Sequence, residues 1–382
     1  MTASRKYPWV FYPASVLISV FLTLAVVEIS LALIFPVPFS VEHNMYYEAE
    51  PHTGYKIKPH SIGHFQNGIQ TTTNLHGHRD DAPRNNGDSE QCRVLVLGDS
   101  LSVGNNVFQE EAYPQVLEKM LDDRFPFPVE VINASVGGWS PFQYAQYYDH
   151  YGVAFDHQIV LVGFFVGNDS YSQTTSVEED RTAIAGRRVS QQAALSPLAS
   201  ARVFLHEHSH LARYIENRRA PRDFDRTRDH CEDFSEAFLQ VQRRRFSNHL
   251  RKERQRDSPA NSVRQVERIV NRAGEKSVPV LVALLPDENQ VNPNLQRRLV
   301  TPAALANYDF QMPQKELAAR FDQLQIDTTD LLPRFQEDHR CLYMNDTHWN
   351  VDGHRLAAEI LFEQLAPRVA ERCPTDPTPM RP

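Results

Sequence analysis

Four short apolar runs, each leading into a turn or loop and then toward a helical pattern, constrain this chain more than any other feature. They are RVLVL at 93–97, VEVIN at 129–133, IVLVG at 159–163 and VPVLVALL at 278–285, and DTTDL at 327–331 marks a fifth. Runs this short, apolar and β-branched suit strands buried on both faces. Helical periodicity alternates with them. Between 111 and 125, Tyr113, Val116, Leu117, Met120 and Leu121 share one face; 263–273 and 313–324 behave alike, and 353–369 closes the pattern with Leu356, Ala357, Ile360, Leu361 and Leu365. Strand and helix in alternation predict an α/β domain with a doubly wound parallel sheet, whose ligands bind at the carboxyl ends of the strands. From about 170 to 261 the alternation stops, and a polar, Arg-rich stretch with helical patterns near 197–218 and 233–256 reads as a helical insertion, a cap or lid.

The chain has 382 residues, 41% hydrophobic and 23% charged. That balance excludes a polytopic membrane protein and a disordered chain. A net charge of -8 argues against general nucleic-acid binding, which needs a basic surface. One apolar segment stands apart. VLISVFLTLAVVEISLALIF at 16–35 carries a single charge, Glu28, and as a helix it is about 30 Å long, the thickness of a hydrocarbon core. Trp9, Phe11 and Tyr12 stand where an interfacial aromatic belt belongs. A cleaved signal has a shorter apolar core and a small-x-small site, and here Phe35-Pro-Val-Pro follows, so the segment predicts an uncleaved anchor over 9–36. Arg5 and Lys6 precede it and the next basic residue is Lys56, which places residues 1–8 in the cytoplasm and the remainder outside, in the periplasm of a Gram-negative cell. Glu28 then belongs near the outer interface or against a partner helix, and we favour the interface. Residues 37–90 read as a linker with short strands, 91–373 as the catalytic domain with its insertion, and 374–382 as a disordered tail.

The chemistry concentrates in four blocks. Gly98-Asp99-Ser100 follows the first strand and presents Ser100 at a strand-to-helix turn, where a serine is exposed for attack on a carbonyl. Alone, a Gly-Asp-Ser turn is ordinary loop chemistry. A nucleophilic serine also needs a base, an orienting acid and oxyanion donors. Gly137-Gly138 follows the second strand, where a bare backbone can aim an N–H at developing charge. Asn168-Asp169 follows the third and offers a side-chain amide, although alone it would be read as a helix cap. Asp346-Thr347-His348-Trp349 precedes the last helix, with His348 as general base and Asp346 as the acid that fixes its tautomer.

With these blocks in this order, the chain resembles the SGNH (GDSL-type) hydrolase superfamily over about 93–170 and 278–370. The resemblance maps the four eponymous roles onto Ser100, Gly138, Asn168 and His348. It implies a flavodoxin-like sheet in the order 2-1-3-4-5 and acyl-ester chemistry without a metal or other cofactor. The superfamily places its aspartate three residues before the histidine; here that position is Asn345, and Asp346 stands two before. The shorter Asp-x-His spacing, the anchor and Pro286-Asp-Glu-Asn-Gln after the fourth strand resemble the membrane-anchored alginate O-acetyltransferase-like branch. The resemblance implies an acyl-enzyme on Ser100, with an oxyanion hole made by the N–H groups of Ser100 and Gly138 and the amide of Asn168. An esterase cleaving acyl esters, acetyl esters first among them, is the primary reading. A polysaccharide O-acetyltransferase using the same residues is the alternative, and membership of a polysaccharide-biosynthesis complex would go with it. A non-catalytic carbohydrate-binding or assembly protein is the alternative from another class.

Other signals carry less. His206-Glu-His-Ser-His210 has the spacing of a zinc-protease motif without a third ligand, so His206, His208 and His210 are assigned to the surface of the cap and no metal is expected. The basic run at 243–256 is read as a solvated helix face, and if it binds anything, an anionic polysaccharide or lipid headgroups suit it better than DNA. Cys92, Cys231, Cys341 and Cys373 lie outside the membrane in this topology, where disulfides persist; spacing leaves three pairings open, and four buried thiols are the plainer alternative. The fold narrows this. Cys92 begins the first strand and Cys373 ends the last helix, which runs antiparallel to the strands, so Cys92–Cys373 is preferred and Cys231–Cys341 follows by elimination.

Overall fold

The computed structural model describes residues 8–37, 40–41, 46–65, 68–81, 91–170, 172–177, 181–184, 187–190, 196–217, 231–232, 234–249, 259–344 and 346–373. Residues 1–7 of the segment assigned to the cytoplasm, the tail at 374–382, Asn345, the side chains of Trp9 and Phe11 and those of the basic run beyond Arg243 lie outside the described residues.

Helix α1 (Pro8–Ile34) contains an apolar stretch from Tyr12 to Ile34, long enough to cross a membrane. A two-residue strand, Ser40–Val41, and four longer ones follow, β1 (Tyr47–Glu50), β2 (Gly54–Ile57), β3 (Ile62–His64) and β4 (Gln70–Thr72); β1–β2 and β3–β4 are antiparallel hairpins, and Ser40–Val41 pairs in parallel with β3. The central sheet is built from β5 (Cys92–Gly98), β6 (Val129–Asn133), β7 (Ile159–Phe165), β10 (Val280–Leu285) and β11 (Asp327–Asp330). All its pairings are parallel, in the spatial order β11-β10-β7-β5-β6. Counted within the sheet, this is 2-1-3-4-5 read from the other edge. Every residue of β5, β6, β7 and β10 is buried, which is why these strands read as continuous apolar runs.

Period-two alternation sorts the strand side chains between two cores. Val94, Val96, Leu161 and Ala283 pack with Leu117 and Leu121 of α3 (Tyr113–Arg124) and with Leu356, Leu361 and Leu365 of α11 (Val351–Arg372). Leu95, Leu97, Val162 and Val282 pack on the other face with Tyr144 and Tyr148 of α4 (Pro141–His150), Val266 and Ile269 of α9 (Ala260–Gly274), and Phe321 of α10 (Met312–Gln323). The chain leaves β5 toward one face and β7 toward the other, so the loops after them border a crevice at the carboxyl edge. Gly98 pairs with Gly163 in register, and Leu285 pairs with Phe165, so the three strands end at nearly one level.

The insertion holds α6 (Pro197–His208), α7 (His210–Asn217) and α8 (Glu236–His249), close to the helical patterns read from sequence. It also holds a hairpin that the periodicity did not reveal, β8 (Arg181–Ile184) with β9 (Arg187–Ser190), which packs on β1 and β2. Two assignments need correction. His206 is buried, with Nδ1 3.5 Å from the Tyr46 hydroxyl, and is not a surface residue of the cap. His210 is half-buried, its Nδ1 accepting the Val37 N–H at 2.9 Å; of the three, His208 is exposed. Glu28 faces a helix, the other placement read for it: its carboxylate accepts from the Ser209 hydroxyl and from the N–H groups of His210 and Leu211. Disulfides join Cys92 to Cys373 and Cys231 to Cys341.

Candidate active site

Strand β5 delivers Ser100. Its last residue, Gly98, has no room for a side chain, because a Cβ there would stand 2.2 Å from the Ser102 hydroxyl. Asp99, fully buried, caps the short helix α2 (Ser100–Val103) by accepting the Leu101 N–H at 2.9 Å through one oxygen. Its other oxygen accepts from the Asn168 side-chain amide, also at 2.9 Å. Asp99 thus ties the Ser100 turn to Asn168, which sits in the turn α5 (Val166–Asp169) after β7. An amide nitrogen has two N–H donors, so this contact orients Asn168 while leaving a second donor. The far end of α2 is held by Arg79, a buried arginine that donates to the carbonyls of Val103, Gly104 and Val107 at 2.7–2.9 Å. The Val103 carbonyl is one of the acceptors a short helix leaves unpaired.

His348 reaches Ser100 from the loop before α11, with Nε2 2.8 Å from Oγ. Its Nδ1 lies 3.0 Å from an Asp346 carboxylate oxygen, close enough for an ion pair but short of full hydrogen-bond alignment. Resting sites commonly tighten such contacts only when substrate binds. The loop explains how an acid two residues before the base can serve it. Tyr343 bridges to Trp349, and the Met344 N–H donates to the His348 carbonyl, so 343–349 doubles back tightly. Thr347 turns at φ 76°, a strained setting for a β-branched residue, and Asp346 also accepts the His348 N–H at 3.1 Å. Asn106 donates at 2.5 Å to Asp346 Oδ2, the oxygen that faces His348 Nδ1. Burial alone would raise the Asp346 carboxyl, but the neighbouring His348 and these hydrogen bonds outweigh it and hold the acid below its usual range. Asn350 anchors the loop, accepting the Gly353 N–H and donating to the Cys341 carbonyl.

The Gly137–Gly138 turn closes the other side. A Cβ on Gly137 would come 3.7 Å from that of Ser100, and Gly138 has φ 78°, a conformation that favours glycine. The Gly137 carbonyl accepts from Arg188 at 2.6 Å and from the Tyr55 hydroxyl at 3.4 Å. The guanidinium of Arg188 lies over the rings of Tyr47 and Tyr55, 5.0 and 5.7 Å from their centroids. A trans peptide carries its C=O and N–H on opposite sides, so these contacts turn the Gly138 N–H away from Arg188. Among the described residues that N–H meets no backbone acceptor. Arg188, Tyr47, Tyr55, Arg79 and Asn106 were missed in sequence. No local motif marks them, because each acts across a long sequence separation from a linker, turn or hairpin.

Two further carboxyls lie near the site. Asp169 is fully buried, accepts from the Tyr144 hydroxyl and the Phe165 N–H, and is pushed well above its usual range by burial and by Asp99. Burial does the same to Glu288, with smaller contributions from Asp287 and Asp346. Both therefore hold protons more tightly than ordinary carboxyls, whereas Asp346 is held below its usual range. Gln242 of α8 donates to Asp287 and accepts from Asn289, which docks the insertion on the motif after β10.

Residues 245–378 match the family described as SGNH hydrolase-like domain, acetyltransferase AlgX. The superfamily and branch suggested by the sequence blocks are thus found over the part that holds Asp346 and His348, while Ser100, Gly138 and Asn168 lie outside the match. No curated protein matches the chain. Among solved structures, TesA is 11% identical with a TM-score of 0.39, covering 72% of this chain and 99% of its own. A two-domain esterase active on acetylated mannans is 14% identical with a TM-score of 0.37, covering 77% of this chain and 54% of its own. The esterase EstA from Pseudoalteromonas sp. is 12% identical, also with a TM-score of 0.37, covering 73% and 98%.

Proposed function

We propose that this chain is a serine enzyme acting on acyl esters, anchored by α1 with its catalytic domain outside the cytoplasm. The observation that carries the reading is the contact series from Ser100 through His348 to Asp346 at 2.8 and 3.0 Å. In the proposed cycle His348 Nε2 takes the Ser100 proton as Oγ bonds to the ester carbonyl carbon. The carbonyl oxygen becomes an oxyanion, received by the N–H of Ser100, the N–H of Gly138 and the Asn168 amide. The Ser100 N–H heads α2 and has no partner within that helix, so it suits this role. His348 then passes its proton to the leaving oxygen, and the acyl group stays on Ser100. A second alcohol or water, deprotonated by His348, removes it. Asp346, ionised beside His348, stabilises the imidazolium that forms twice in each cycle.

Arg188 has a positioning role in this scheme. Its positive charge on the Gly137 carbonyl polarises the whole peptide unit and makes the Gly138 N–H a stronger donor. It also opposes rotation of that peptide, so the donor is in place before reaction.

The esterase reading needs only these residues. The acetyltransferase reading is favoured by the family match over 245–378, and with it a polysaccharide hydroxyl as acceptor. Acetate release from an acetyl ester, measured with the purified full chain, tests the first. Adding an unacetylated polysaccharide separates the two: a transferase moves acetyl to the polymer at the expense of free acetate, and an esterase releases the same acetate with no acetylated polymer. Loss of both activities in Ser100→Ala is required by either reading, and retention would overturn both.

A further inference from the structure

We infer that the outward face of α6 and α7 rests in the lipid bilayer, in the leaflet at the carboxyl end of α1, so that the insertion makes a second membrane contact. This rests on α1 being the membrane anchor. The depth follows from Glu28. The apolar stretch Tyr12–Ile34 has 23 residues, about 34 Å of helix against a hydrocarbon core of about 30 Å. Glu28 stands six residues before Ile34, about 9 Å along the axis, and so about 7 Å inside the hydrocarbon boundary when α1 is centred. Its carboxylate is bound to Ser209, His210 and Leu211, the junction of α6 and α7. That junction is therefore held at the same level. Amphipathic helices lie about 5–10 Å into this boundary.

The polar groups at the junction are arranged for a place without water. Glu28 takes three donors, among them the N–H groups of His210 and Leu211 in the first turn of α7, which a helix cannot satisfy internally. His210 in turn accepts the Val37 N–H. An acid inside an apolar span is costly unless partnered in this way.

The side chains around the junction fit the same setting. On α6, Ala199 and His206 are buried against the body of the protein. Away from that face Leu198, Phe204 and Leu205 are 82%, 63% and 51% exposed, and Ile215 of α7 is 49% exposed. Ser200, Arg202 and Glu207 lie between this outward face and the buried one. Large apolar side chains gathered on an outward face are unsuited to a water-facing surface. Lipid is the occupant because Glu28 fixes the depth: a protein partner would need no link between this patch and the apolar span.

The test uses the full chain reconstituted in phosphatidylcholine liposomes, with Phe204→Trp as the reporter and lipids brominated high or low on the acyl chain as quenchers. Emission of the parent, which carries Trp9, Trp139 and Trp349, is subtracted. The expected result is loss of most of the added emission, greater with bromines near the headgroups. Lys119→Trp, at an exposed position of α3, serves as the water-facing control and should keep its emission. Leu198→Trp repeats the measurement should Phe204→Trp fail to fold. Liposome-bound Phe204→Trp protein whose added emission is quenched no more than that of Lys119→Trp would overturn the inference while leaving the anchor intact. Protein that does not float with liposomes after an alkaline carbonate wash would overturn the anchor reading, and this inference with it.

Discussion

The Gly137 carbonyl receives Arg188 at 2.6 Å, and the same peptide unit carries the N–H assigned to the oxyanion. Removing that contact should weaken the transition state more than the ground state, since the charge to be met exists only after attack. Arg188→Met is expected to lower kcat for an acetyl ester by about 10- to 100-fold, below the 10²- to 10³-fold typical of losing a donor outright, with KM little changed; Arg188→Lys should recover part of the rate. An unchanged kcat would remove Arg188 from the mechanism. Gly138→Ala should be worse, because a Cβ would stand 1.8 Å from an Arg188 nitrogen and the backbone there has φ 78°. Asp169 supports a different prediction. Its native carboxyl is raised, so the folded state binds more protons than the unfolded one above the ordinary carboxylate range. Its contribution to stability is complete below about pH 3.9 and declines as pH rises toward the raised value. Asp169→Asn, which keeps an oxygen for Tyr144 and Phe165, should flatten the fall in denaturant midpoint between pH 5 and 8; parallel profiles for variant and parent would contradict it.

Among the elements, the two disulfides carry distinct loads. Cys92–Cys373 closes 281 residues and joins the start of β5 to the end of α11, at the edge opposite Ser100. The loop-entropy relation gives about 5.6 kcal/mol for closures of this size. Replacing both cysteines by serine should lower the unfolding midpoint strongly while leaving kcat near the parent's at low temperature. Cys231–Cys341 joins the insertion to the segment that leads to Asp346 and His348, so its removal should lower kcat as well. A loss of stability alone would show that the second bridge does not position the base. The central strands were legible to within one or two residues because burial on both faces leaves continuous apolar runs that turns must interrupt. The β8–β9 hairpin was not, since RTAI and RRVS are short and polar and their packing partners lie in β1 and β2, far earlier in the chain. His206 was misassigned for the same reason: its burial against Tyr46 depends on a residue 160 positions away.

At the scale of the molecule, three loops from one sheet edge and one loop before the last helix meet at Ser100, while Arg79 before β5, Asn106 after α2 and Arg188 in the insertion hairpin hold them in place. The sequence blocks pointed to Ser100, Gly138, Asn168, Asp346 and His348, the residues the proposal uses, because each adjoins a strand end or the final helix. The supports, Arg79, Asn106 and Arg188, could not be read there, because an arginine in a polar stretch gives no sign of which carbonyl it meets. The central claim is that Ser100 is a nucleophile activated by His348. It is tested most directly by exposing the full chain to a fluorophosphonate and mapping the modified residue by mass spectrometry. The account predicts one phosphonylated site, Ser100, with labelling lost in Ser100→Ala and slowed severely in His348→Ala. Folded protein that stays unlabelled at Ser100, or that is labelled there at the same rate without His348, would contradict it.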